Sequence, residues 1–112
     1  MARTPTTFDT FNAIAEPKRR QVIDSLAKGE RRVNDLAKSL GWPQPQVSKH
    51  LGVLNKVGLV NVRREGRERI YRLNGEPLKS IHDWVKTFEK YWSQQLDRIK
   101  ARAEAKAKQS GE

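Results

Sequence analysis

Apolar positions follow two periodicities along the chain, and the switch between them marks where helices give way to strands. Over the first half they recur at helical intervals: Phe8, Phe11 and Ala15, then Val22, Ile23 and Leu26, then Leu36, Ala37 and Leu40, then Val47, Leu51 and Leu54. The gaps carry stop and start chemistry. Glu16-Pro17 ends the first helix and opens the second, with Pro17 at a first position whose N–H has no intrahelical partner. Lys28-Gly29-Glu30 closes the second helix, and Asn34 is a candidate cap for a short third helix through Leu40. Gly41-Trp42 makes a turn. Pro43 and Pro45 then sit in the first turn of a fourth helix, which ends at Gly58 in the left-handed conformation.

The period next drops to two. Val60 and Val62 alternate with Asn61 and Arg63, Ile70 to Leu73 forms a second strand, and Glu65-Gly66-Arg67 turns between them. After Asn74-Gly75 a long helix is predicted from near Pro77. Leu78, Ile81, Val85, Phe88, Trp92, Leu96 and Ile99 advance in steps of three and four, close to a coiled-coil seam, with Trp84 and Tyr91 on one flank. Beyond Ile99, KARAEAKAKQSGE has no large apolar residue, and residues 101–112 are expected to fray into a basic tail. The predicted architecture is α+β, mainly α, in one domain over 1–100. It comprises a fourth helix over 43–58 that serves for recognition, a wing over 59–73 and a dimerisation helix over 77–100, which is a helix-turn-helix extended by a wing.

The chemistry sits on the fourth helix and the wing. Gln44, Gln46, Ser48 and Lys49 offer hydrogen-bonding groups with little bulk, which suits base edges and phosphates in a major groove better than the usual Glu and Lys of a core-covering helix. His50 lies beside the buried stripe, where packing or a phosphate contact competes with base readout. Between Pro43 and Leu73 seven basic residues face two acidic ones, and Arg63, Arg64, Arg67 and Arg69 make the wing a phosphate-facing surface. The whole chain of 112 residues carries a net charge of +10, which points to a polyanion, most simply double-stranded DNA. A membrane is the weaker partner. No stretch reaches the roughly 18 to 20 apolar residues that span a bilayer, and the first residues lack the apolar core of a secretory signal, so a cytoplasmic location is expected. The absence of cysteine removes disulfides and thiolate metal sites.

The long helix is more apolar than one small domain needs. It can lie on its own core, or it can also pack against a second copy. The large aromatics beyond the seam, Trp84 and Tyr91, favour the homodimer, with Ile81, Trp84, Val85, Phe88, Tyr91 and Trp92 at the interface. No enzyme is expected. Asp35, Asp83, Glu89 and Asp97 read as solvated or paired with Lys38, Lys86, Lys90 and Arg98, and no phosphate loop or nucleophile elbow is present.

These residues together resemble the ArsR/SmtB-type winged-helix repressors of bacteria over about residues 8 to 100. The resemblance rests on AEPKRR at 15–20, Asn34-Asp35-Leu36-Ala37, Val47-Ser48-Lys49-His50-Leu51 with Leu54, Gly58-Leu59-Val60, Arg64-Glu65-Gly66-Arg67 and Tyr71-Arg72-Leu73. It implies a homodimeric repressor on an imperfect palindrome, with the first helix (Phe8, Phe11) joining the last at the interface. The last helix, with Asp83-Trp84, Tyr91-Trp92 and Leu96-Asp97, looks like the small autoregulatory members that use no metal. Where the family senses metal it uses cysteines on the third helix or an Asp/His/His/Glu set on the last. This chain has Arg31-Arg32-Val33-Asn34-Asp35-Leu36 at the first place and only His82 at the second, so no metal and no cofactor are expected. An unidentified small-molecule effector under the long helix remains compatible with this. The competing class is a winged-helix module for protein interaction or non-specific DNA coating. Gln44, Gln46 and Ser48 argue for sequence reading, because Gln can pair bidentately with adenine whereas coating needs only Lys and Arg.

Zinc, nickel, cadmium or arsenite is therefore expected to leave affinity for operator DNA unchanged in a fluorescence anisotropy titration. Release from DNA at low micromolar metal would contradict this reading of the residues.

Overall fold

The structure, a computed structural model, describes residues 9–110, with side chains through residue 107. The chain divides into two compact units, the first ending at Ile81 and the second beginning at His82. In the first unit, helix α1 (Thr10–Ala15) is capped by Asp9, whose carboxylate accepts the Asn12 N–H at 2.7 Å. Helix α2 (Pro17–Ala27) follows after Glu16, which is extended at φ −83°, ψ 119°, as a residue before proline must be. Arg19 Nε and Arg20 Nη1 donate to the carbonyls of Ala13 and Ile14, each at 2.6 Å, so two cations of the AEPKRR segment cap the open C-terminus of α1. On α1 the inward residues are Thr10 and Ala13, while Phe11 stays exposed.

Strand β1 (Arg31–Arg32), helix α3 (Val33–Leu40) and helix α4 (Gln44–Lys56) complete the helical body. Asn34, the expected cap of α3, lies inside its first turn, and Arg32 occupies the cap without a side-chain bond because the chain enters α3 directly from β1. The turn from α3 to α4 is a Schellman motif, in which Trp42 N–H donates to Ala37 O at 3.1 Å and Gly41 N–H to Lys38 O at 3.3 Å. The same motif ends α4: Leu59 N–H donates to Leu54 O at 2.9 Å and Gly58 N–H to Asn55 O at 3.1 Å. It requires the left-handed φ of +81° at Gly58. Val22, Leu36, Val47, Leu51, Leu54 and Leu59 form the core between these helices, all at 3% exposure or less.

Strands β2 (Val60–Glu65) and β3 (Glu68–Leu73) make the expected hairpin, and β1 pairs on the far side of β3 to give the order β1-β3-β2. The two-residue Arg31–Arg32 strand has no apolar alternation to announce it. Gly66 at φ +64° followed by Arg67 at negative φ is the combination of a II′ turn, which matches the twist of the strands. Asn74 ties the hairpin's end to its start, its Nδ2 donating to Gly58 O at 2.8 Å and its N–H to Leu59 O at 2.7 Å.

The helix expected over 77–100 is two helices, α5 (Leu78–Lys86) and α6 (Glu89–Ser110). The Thr87 hydroxyl donates to Trp84 O at 2.7 Å, and the N–H groups of Thr87 and Phe88 reach only three residues back, to Trp84 O and Val85 O. A β-branched residue that satisfies its own preceding turn competes with the α-helical ladder there. Nor does the chain leave the helix at residue 100. Residues 100–110 are rich in Ala, Lys, Arg and Glu, strong helix formers that need no buried face, and Lys100 pairs with Glu104 at 4.0 Å.

Gly58→Ala is expected to lower the unfolding free energy by about 1–2 kcal/mol through φ strain alone, since only Pro77 at 3.8 Å approaches the added Cβ. Leu54→Ala, which empties a fully buried site, is expected to cost about 2–5 kcal/mol in urea denaturation. The opposite ranking would mean that the core is looser than its burial suggests.

Candidate nucleic-acid interface

Helix α4 buries Val47, His50, Leu51 and Leu54 and turns Gln44, Pro45, Ser48, Lys49 and Gly52 outward. Gln46 is half-buried on the flank next to His50, because the 100° step of the helix carries position 46 away from the exposed midline. No side chain caps the N-terminus of α4, so its dipole is open to negative charge beside Gln44. His50, grouped on sequence with the DNA-facing residues, belongs to the core side: it is 8% exposed and meets Trp42 edge-on at 6.2 Å. Its burial, and then the Arg19 guanidinium, hold its pKa below the ordinary histidine range. Lys18 in turn sits 5.5 Å from the Trp42 ring centre.

Alternation along β2 and β3 sorts the wing by face. Val60, Val62 and Arg64 pair with Leu73, Tyr71 and Arg69, while Asn61, Arg63 and Glu65 pair with Arg72, Ile70 and Glu68. The first face looks across a groove of about 660 Å³ at α4. Its walls bring together Gln44, Ser48, Gly52 and Asn55 from the helix and Arg64, Arg67 and Arg69 from the wing, over a floor that includes Leu51, Val62 and Tyr71. Asn55 was missed on sequence, since nothing but its helical position relative to Ser48 would reveal it. Arg64, Arg67 and Arg69 enter no ion pair among the described residues.

Arg63 behaves differently from the arginine expected on sequence. It borders the groove, but its guanidinium is taken up by Glu30 at 2.6 and 2.7 Å and by Glu65 at 2.9 and 3.1 Å. The Arg63 bond holds the Glu30 carboxyl below its usual range, and both glutamates keep Arg63 protonated. Arg32 pairs with Glu68 on the same face. Every acid of the hairpin is thus held on the face away from the groove.

Of the residues expected at a dimer interface, Phe8 lies outside the described residues and Phe11 is 41% exposed. Ile81 and Val85 are half-buried, whereas Trp84, Phe88, Tyr91 and Trp92 are 44–63% exposed on α5 and α6. Trp84 and Phe88 stack edge to face at 5.3 Å. Leu96 and Ile99 extend the same apolar exposure along α6. Among the described residues no helix is long and apolar enough to cross a membrane.

The two places where a metal could be expected do not fit one. The third helix offers no thiol, and His82 meets Asp83 at 3.6 Å, with no group of three potential ligands among the described residues.

Residues 16–62 match the family model described as bacterial regulatory protein, arsR family. The HTH-type transcriptional regulator KmtR of Mycobacterium tuberculosis is 41% identical over 73 residues, 65% of this chain and 56% of the relative, so the match spans little more than half of that protein. The transcriptional repressor SdpR of Bacillus subtilis is 30% identical over 80 residues, 71% of this chain and 89% of the relative. Among solved structures, the homodimeric winged helix-turn-helix DNA-binding domain of a possible ArsR-family transcriptional regulator from Mycobacterium bovis superposes with a TM-score of 0.58 at 33% identity, covering 75% of this chain and 78% of that one. Family model, near full-length relative and fold agree with the groove between helix and wing: the chain belongs to the ArsR family of winged helix-turn-helix transcriptional regulators.

Proposed function

We propose that the protein is a homodimeric, sequence-specific repressor that sits on an imperfect palindrome of double-stranded DNA in the cytoplasm. In this reading Gln44, Ser48 and Lys49 of α4 meet base edges and phosphates in the major groove. Arg64, Arg67 and Arg69 meet the flanking backbone or minor groove. The observation that carries it is the groove itself, where polar helix residues of little bulk face three arginines without counter-charge. Ser48 and Gly52 let the helix backbone approach closely, and the polar groups that remain exposed can discriminate bases. The exposed aromatics from Trp84 to Trp92 supply the second requirement, a face that holds two copies so that two recognition helices lie one DNA turn apart, roughly 34 Å. The relatives named as regulator and repressor, and the homodimeric neighbour, support the same reading. A small-molecule effector would take the hollow of about 340 Å³ lined by His82, Val85, Lys86, Glu89 and Trp92.

Helix and wing are expected to fail differently. With about six to ten phosphate contacts per dimer, affinity for DNA from the protein's own promoter should fall by a factor on the order of 10³ between 50 and 200 mM salt. Gln44→Ala should cost about 1–3 kcal/mol on that DNA and much less on random duplex. Arg67→Ala should weaken both alike and make the salt slope shallower by about one unit per lost contact. Equal, uniform losses in competition binding would put the DNA-coating alternative ahead. For assembly, Trp92→Ala is expected to yield monomers or aggregates by light scattering and to abolish tight operator binding. A monomer that binds as tightly as the parent would remove the dimer from the mechanism.

A further inference from the structure

Glu30 and Arg63 lie on the side of the wing that faces away from the groove. Glu30 stands in the connection between α2 and β1, thirty-three positions from Arg63, so a bond between them joins the helical body to β2. The contact is two-pronged: Nη1 donates to one carboxylate oxygen at 2.7 Å and Nη2 to the other at 2.6 Å. All three guanidinium nitrogens are engaged once Glu65 is included. Arg63 therefore has little left to offer a phosphate.

We propose that the Glu30–Arg63 pair is a clamp that sets the angle of the wing against the helical body, making both residues positioning residues for DNA binding. The inference rests on the DNA-binding reading above. Both side chains are close to half exposed, at 42% and 48%, and an exposed pair adds little to stability. What a planar fork against a carboxylate does supply is orientation, which a point charge cannot. The clamp has a second effect at the tip, where Glu65 and Glu68 stand opposite each other across the hairpin. Arg63 holds the first and Arg32 the second, so two acids that would repel each other stay turned from the groove. Arg64 and Arg69, the next pair inward, are thereby presented on the groove face.

The test uses the full chain, with a duplex from its own promoter and a random duplex of equal length. Glu30→Gln removes a negative charge, which by long-range electrostatics alone would tighten DNA binding. The clamp predicts the opposite sign, a loss of roughly fivefold, as expected for coupled neighbours. Arg63→Lys keeps the charge but loses the fork, and is expected to lose about as much, whereas a phosphate contact would tolerate lysine. Neither variant should change the salt slope, and the double variant should be no worse than either single one. Thermal melts check that the variants stay folded. Tighter or unchanged binding by Glu30→Gln, full binding by Arg63→Lys, or additive losses would each overturn the clamp while leaving DNA binding intact. No binding by the unmodified chain would instead overturn the DNA reading on which the clamp depends.

Discussion

The register of β2 against β3 is the constraint on which the rest of the interface depends. Side chains alternate with a period of two, so a slip of β2 by one residue would carry Arg63 and Glu65 into the groove and Arg64 out of it. Three features oppose such a slip. Val60 is fully buried at the base of the hairpin, the Gly66-Arg67 turn admits two residues and no more, and Asn74 ties the end of β3 to the residues that lead into β2. The electrostatic pattern follows from this geometry. Four arginines at 63, 64, 67 and 69 look alike in the sequence, yet pairing gives one of them to Glu30 and Glu65 and leaves three facing α4.

The groove's other wall is held by the core. Val47, Leu51 and Leu54 fix the rotation of α4, and the paired Schellman turns at Gly41 and Gly58 fix where it starts and stops. His50 shows how closely core and surface are interleaved. One position after Lys49, it is buried against Trp42 and under the influence of Arg19 from another helix. A substitution there would reach the groove-lining residues of α4 through packing.

Most of the fold could be read from apolar spacing. The buried faces of α2, α3 and α4, the two glycine-terminated helices and the hairpin were all announced by strong periodicity or by residues with one conformational role. What could not be read has a common cause, since it depends on partners remote in sequence. Nothing near Arg31-Arg32 signals a strand, because its partner is Ile70-Tyr71. Glu65, two positions on, is the one local partner of Arg63, and the two-pronged bond that occupies it comes from Glu30, thirty-three positions away. The break at Thr87 escaped for a different reason: the heptad-like spacing of large residues runs straight through it, while the local competition comes from one hydroxyl. The groove's outline was legible from Gln44, Ser48 and the wing arginines, but the division of labour among those arginines was not.

The sheet order β1-β3-β2 leaves the outer side of β2 without a neighbour among the described residues. Such a row of free backbone donors and acceptors invites edge-to-edge pairing with other chains, and charged side chains are the usual protection. Here the protection and the proposed DNA-binding surface meet on one strand, since Arg63 and Glu65 lie beside Arg64 of the groove. Replacing them together with small or apolar residues would unmask a six-residue edge strand. In the proposed reading, solubility and grip on nucleic acid thus meet at Arg64, the side chain of this strand that serves both.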